Sequence, residues 1–192
     1  MCTKIRLSLV SLMIILSSLN SCDVRHDDSS QKQLFDLNWK FNRGNYVFAT
    51  ELEMNDKNWR DVDLPHNWSN DKKLLLTTSN TAAGNDSSGI GWYRKHFEIP
   101  NNWHEKSILI NFEGICEQNK IFVNGIAIKT PQHAKCVFEA PLNPYLNFDG
   151  KNVIAIQVMN TKQEDGNWSA ASGIYKHVWL IIKDPPKSQK KD

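Results

Sequence analysis

Apolar and polar residues alternate along most of this chain with a period of two, and turn signals interrupt the alternation at short intervals. After residue 35, Leu37, Trp39 and Phe41 alternate with polar neighbours. In GWYRKHFEI, Tyr93, Phe97 and Ile99 share one face, with Lys95 as the exception. SILINFEG places Ile108, Ile110 and Phe112 on one side. KIFVNG then turns at Asn124-Gly125, a dipeptide suited to a two-residue hairpin turn with positive φ at both places. NVIAIQV and YKHVWLII are apolar enough for central strands, the second a candidate for cover on both faces. No segment of useful length carries a helical period. Many short strands parted by Gly, Asn and Pro predict an all-β fold, a jelly-roll β-sandwich. Residues 70 to 89 read as a long polar insertion, and the tail DPPKSQKKD as a linker or an end.

The first residues stand apart from this pattern. Lys4 and Arg6 precede the apolar run LSLVSLMIILSSL, which is short for a membrane span and is placed like the h-region of a signal peptide. It ends in Leu19-Asn20-Ser21-Cys22, which resembles the lipobox of bacterial lipoproteins. That resemblance implies a signal peptide over 1–21, acylation of Cys22, and attachment to the bacterial cell envelope, periplasmic or surface-facing. Residues 22–35 then read as a polar tether, 36–184 as the domain, and 185–192 as a polar tail.

Charge narrows the partners. Cleavage before Cys22 takes two of the 23 basic residues and none of the 21 acidic ones, leaving a formally neutral chain. No basic stripe argues for nucleic acid, and the six His show no ligand spacing for a metal. No cofactor motif is legible. In an exported setting Cys116 and Cys136 either form a disulfide or stay as buried thiols. Trp39, Trp92 and Trp179 sit in apolar or alternating runs and read as core.

The order of short motifs carries more than any one of them. Trp39-Lys40-Phe41 is followed by Trp59, by Leu64-Pro65-His66-Asn67-Trp68, and by Gly91-Trp92-Tyr93-Arg94-Lys95. Phe112-Glu113-Gly114, Val123-Asn124-Gly125 and Pro144-Tyr145-Leu146 come next. The strand from Asn152 to Ile156, then Asn160, then the run from Ser172 to Leu180 close the series. This series resembles the N-terminal, sugar-binding jelly-roll domain of glycoside hydrolase family 2, the β-galactosidases, β-glucuronidases and β-mannosidases. The resemblance implies that catalysis belongs elsewhere. The family's two catalytic glutamates stand on a separate (β/α)8 barrel, and the Asn-Glu pair that marks its acid/base does not occur in this sequence. Glu113, Glu117, Glu139 and Glu164 read as surface carboxylates, and His66 as a hydrogen-bonded structural residue.

The resemblance also points to a loop, QEDGNWSAAS, that leans towards the active site in the family. Its usual arginine position is Asn167 here, its tryptophan is Trp168, and its tyrosine is Ser169. An Asp-Asn pair after the preceding strand becomes Met159-Asn160, and a Gly-Tyr pair becomes Ala134-Lys135. Asn160, Asp165, Asn167 and Trp168 are therefore the candidate carbohydrate-binding residues, since amides and carboxylates bond hydroxyls and an indole packs on a pyranose. The alternative is that the asparagines serve loop turns and Trp168 plugs the sandwich end. Three functions remain open: the non-catalytic domain, as a fragment or separately encoded part, of a family 2 glycosidase; a free-standing carbohydrate-binding envelope lipoprotein; and a structural or interaction β-sandwich that has lost sugar binding. The partners these imply are a carbohydrate, a glycosidase catalytic domain or another envelope protein.

Overall fold

The computed structural model describes residues 30–70, 89–115, 118–129, 136–160 and 172–185. Two antiparallel sheets face each other. One has four strands: β1 (Ser30–Leu34), β12 (Val178–Lys183), β6 (Ser107–Phe112) and β9 (Phe138–Pro141), in that order. The other has six: β3 (Arg60–Val62), β2 (Trp39–Arg43), β5 (Gly89–Glu98), β10 (Lys151–Asn160), β7 (Asn119–Val123) and β8 (Ile126–Ala127). A small pair, β4 (His66–Asn67) with β11 (Gly173–Ile174), closes one end.

The period-two runs become the facing sides. Ile108, Ile110 and Phe112 of β6 meet Val178, Leu180 and Ile182 of β12 in one core, with Ile154, Ile156 and Val158 of β10 opposite. Trp39, fully buried, joins them and donates its indole N–H to Phe35 O at 2.8 Å. Burying an aromatic side chain of this size contributes roughly 4–6 kcal/mol before conformational entropy is charged against it. The Asn124-Gly125 turn has φ of 51° and 83°, as a two-residue hairpin of this twist requires. Asn124 also donates to Tyr145 O and to Asn152 Oδ1, and accepts from Val153 N, so one asparagine ties the turn to the next two motifs.

Three readings need correction. The polar tether does not run to residue 35: β1 pairs with β12 from Ser30 onward, and Phe35 is in the core. β1 escapes the alternation signal because all five of its side chains are exposed. Leu37 is not on the buried face; it is 56% exposed in the bend before β2. The reading of Trp92 as core holds: it is buried, in a second cluster on the outer side of its sheet with Trp59, Ala49 and Ala155. Trp179 is only partly buried, on the outer face of the four-stranded sheet.

The second cluster exists because residues 44–59 fold back over β5 and β10. Arg94 holds this strap. It is fully buried, and its Nε donates to Asp56 Oδ2 at 2.9 Å. The rest of the guanidinium donates to Ala49 O, to Glu51 O at 3.0 Å and to Met54 O at 3.4 Å. A buried cation is tolerable only when paired and hydrogen-bonded throughout, and the strap's backbone supplies that. Lys95, the exception on the inner face, donates to Leu37 O and lies 4.6 Å from the Phe35 ring centroid. Burial lowers its pKa, against the pull of Asp63 and Asp36.

Candidate functional site

Two stretches outside the described residues, 161–171 and 71–88, are flanked by residues at one end of the sandwich. The register pairs Asn160 with Gly89, so the end of β10 lies beside the start of β5. Asn160 precedes residues 161–171, and Gly89 follows residues 71–88. Asn160 is buried, and its amide donates to the hydroxyl of Ser172, across the base of the first segment. Ser172 is also buried, and its backbone N–H donates to Asn67 Oδ1 at 2.9 Å. Its hydroxyl lies 2.9 Å from that of Ser69, which in turn lies 2.7 Å from Asn67 Oδ1. The backbone completes the clasp, with Trp68 N donating to Ser172 O at 3.0 Å. Four short polar side chains thus join the two described residues that flank 161–171.

His66 supports this clasp from below. An Arg60 N–H approaches its Nε2 at 2.6 Å, and its Nδ1 lies 2.7 Å from Tyr93 Oη. Arg60 can only donate, so Nε2 accepts and Nδ1 carries the proton towards the tyrosine. Tyr93 Oη then donates to His66 O at 3.3 Å. With both ring nitrogens engaged, His66 is a brace rather than a catalytic base. Gly173, next to Ser172, has φ of +122°. A Cβ there would run into Tyr93 Oη and stand 2.6 Å from His66 O, so the Ser-Gly of this motif is demanded by packing as well as by backbone angle.

A second polar joint lies where β1 leads into β2. Asp36 is buried and accepts from His177 Nδ1 at 2.6 Å and from Val178 N at 2.8 Å. The hydrogen bond to Asp36 raises the His177 pKa, aided by the charges of Asp36 and Glu113 and opposed by burial. At the strap, burial pushes the Asp56 carboxyl up, but the hydrogen bonds from Arg94 and His96 outweigh it and the pKa ends below 3.8.

Glu113 accepts the Trp179 indole N–H at 2.9 Å, and Glu139 accepts from Asn111 at 3.4 Å. Glu117 and Glu164 lie outside the described residues. Among the described residues no group of three His, Cys, Asp or Glu could hold a metal ion. A cavity of about 450 Å³ lined by His96, Phe97, Glu98 and Lys151 sits at the opposite end of β5 and β10 from the loop clasp.

Of the candidate sugar contacts, Asn160 is the one within the described residues, and its amide serves the clasp. Asp165, Asn167, Trp168 and Cys22, the residue expected to be acylated, lie outside them. Cys136 is half-buried, its carbonyl accepting from Ile115 N, while its proposed partner Cys116 lies outside. Nothing in the sequence around Asn67, Ser69 and Ser172 marks them individually as functional. Their signal was the clustering of short polar residues at two motif edges, Pro-His-Asn-Trp-Ser and Ser-Gly, 105 residues apart.

The profile described as "Glycosyl hydrolases family 2, sugar binding domain" matches residues 38–185. The chain belongs to glycosyl hydrolase family 2. A β-galactosidase of Bacteroides ovatus, BoGH2A, is 33% identical over 152 residues, which cover 79% of this chain and 18% of that protein. A family 2 member from Bacteroides cellulosilyticus superposes with a TM-score of 0.69 at 32% identity, covering 81% of this chain and 21% of the other. Bacteroides uniformis β-glucuronidase gives 0.66 at 27% identity, over 80% and 18%. The chain therefore spans about a fifth of the length of these family 2 relatives, and what it matches is their sugar binding domain.

Proposed function

We propose that this chain is the non-catalytic sugar-binding domain of a family 2 β-glycosidase system of the bacterial envelope, tethered through a lipid on Cys22. It offers the loop 161–171 to a β-linked sugar and associates with a catalytic domain that cleaves the glycosidic bond. The observation that carries this reading is the clasp of Asn160, Ser172, Asn67 and Ser69. It engages four polar side chains in joining Asn160 to Ser172, the two described residues that flank 161–171, the segment that holds Asp165, Asn167 and Trp168. Asp165 and Asn167 would bond hydroxyls and Trp168 would pack on the ring.

A thermal-shift titration of residues 23–192 against galactosides, glucuronides and mannosides tests it. At a ligand concentration a hundred times Kd, binding stabilises the folded state by about 2.7 kcal/mol, a rise of roughly 5–10 °C for a domain of this size. One sugar class should give a saturable rise, and Asn167→Ala should abolish it. A cooperative melt that no sugar moves would reject the sugar-binding part of the reading. Labelling with radioactive palmitate, lost in Cys22→Ala, tests the anchor.

A further inference from the structure

We infer that the outer face of the four-stranded sheet is a second carbohydrate-binding surface, centred on Trp179 and shaped for an extended glycan chain. It is separate from the loop clasp and does not depend on the sugar-binding role proposed for residues 161–171. The strand register sets Leu34, Trp179, Asn111 and Glu139 side by side in one row across all four strands. Their alternating partners, Leu180, Ile110 and Ala140, point into the core, so this row points out. Leu34 is 45% exposed, Glu139 is exposed, and Trp179 and Asn111 are partly exposed.

The indole at the centre is anchored at its N–H. Its N–H is held by Glu113 Oε1 at 2.9 Å, and the His177 ring stands 6.1 Å away at 59°. A fixed aromatic ring loses little entropy when a ligand stacks on it. Beside it, Asn111 donates to Glu139 at 3.4 Å, a loose bond that leaves amide and carboxylate capacity for hydroxyl groups. Adjacent strands are about 4.8 Å apart, close to the width of a pyranose ring. One sugar over Trp179 therefore puts its equatorial hydroxyls, or those of the next residue, over Asn111 and Glu139. An aromatic platform with an amide and a carboxylate in the same row suits a neutral sugar chain. A protein partner would be served better by an apolar centre without that polar half.

The test is affinity electrophoresis of the full chain in non-ionic detergent, through gels containing β-galactan, β-glucan or galactomannan, with melting curves alongside. The wild type should be retarded in at least one gel. Trp179→Ala should weaken retardation at least tenfold, and Asn111→Ala, which leaves the ring in place, about three- to tenfold, both with cooperative melts. The Asn167→Ala chain, stripped of the proposed loop contact, should still be retarded, which separates this surface from the loop. Three outcomes overturn the inference. One is no retardation by any of the three glycans. Another is retardation lost in Asn167→Ala but kept in Trp179→Ala and Asn111→Ala. The third is a wild-type dimer, dissociated by Trp179→Ala, whose face is closed to glycans.

Discussion

Replacing Arg94 with methionine removes the charge that pins the strap over β5 and β10 while keeping a side chain of similar length. The substitution leaves the Asp56 carboxylate, 7% exposed, with only His96 beside it, and deprives the carbonyls of Ala49, Glu51 and Met54 of a donor. Removing one partner of a buried pair typically costs about 3–5 kcal/mol. His96 retains a hydrogen bond to Asp56 and the freed carbonyls can reach water once the strap lifts, so about 3 kcal/mol is the working figure. That corresponds to a fall in Tm of roughly 6–12 °C for a domain of this size. Urea unfolding of wild type, Arg94→Met, Asp56→Asn and the double variant gives the assay. The double variant should lose at least about 1 kcal/mol less than the sum of the singles, because two residues in contact couple. Trypsin should also cut at Lys57 in Arg94→Met under conditions where the wild type resists. If Arg94→Met costs less than about 1 kcal/mol and the cycle is additive, the strap is not held by this pair and the argument from burial fails.

Two further outcomes follow from the polar joints. His177 has its pKa raised by Asp36, so its stabilising contribution is complete below the unfolded value of 6.5 and is lost as pH rises through the folded value. Denaturation midpoints should therefore drift down with rising pH across that window, and His177→Gln should flatten the drift; an NMR titration placing the His177 pKa at or below 6.5 would refute it. Gly173→Ala should cost about 3 kcal/mol or more, since the methyl meets Tyr93 Oη and His66 O at a φ that alanine rarely adopts. Chemical denaturation measures it, and a loss under about 1 kcal/mol would mean that the clasp yields.

What could be read along the chain was whatever depends on near neighbours. The period-two runs located β2, β5 and β6, continuous apolar runs located β10 and β12, and Asn124-Gly125 marked the turn after β7, because strand faces and tight turns are encoded within a few residues. Motif order identified the family for the same reason: Ser-Gly, Pro-His-Asn-Trp and Gly-Trp-Tyr are local demands of backbone angle and close packing. Where the tertiary structure decided, the cause was always a partner far away in sequence. β1 is a strand because β12 offers an edge, not because its own exposed side chains ask for one. Arg94 is buried because a strap 38 to 45 residues earlier brings Asp56 and three carbonyls over it. Trp179 reads like Trp39 in an alternating run, yet it faces outward, because the register gives the core to Val178, Leu180 and Ile182. The loop clasp joins Asn67 to Ser172 across 105 residues, and no local period carries that information. Polar side chains with ordinary local signatures become special only when the fold removes water and leaves one set of partners.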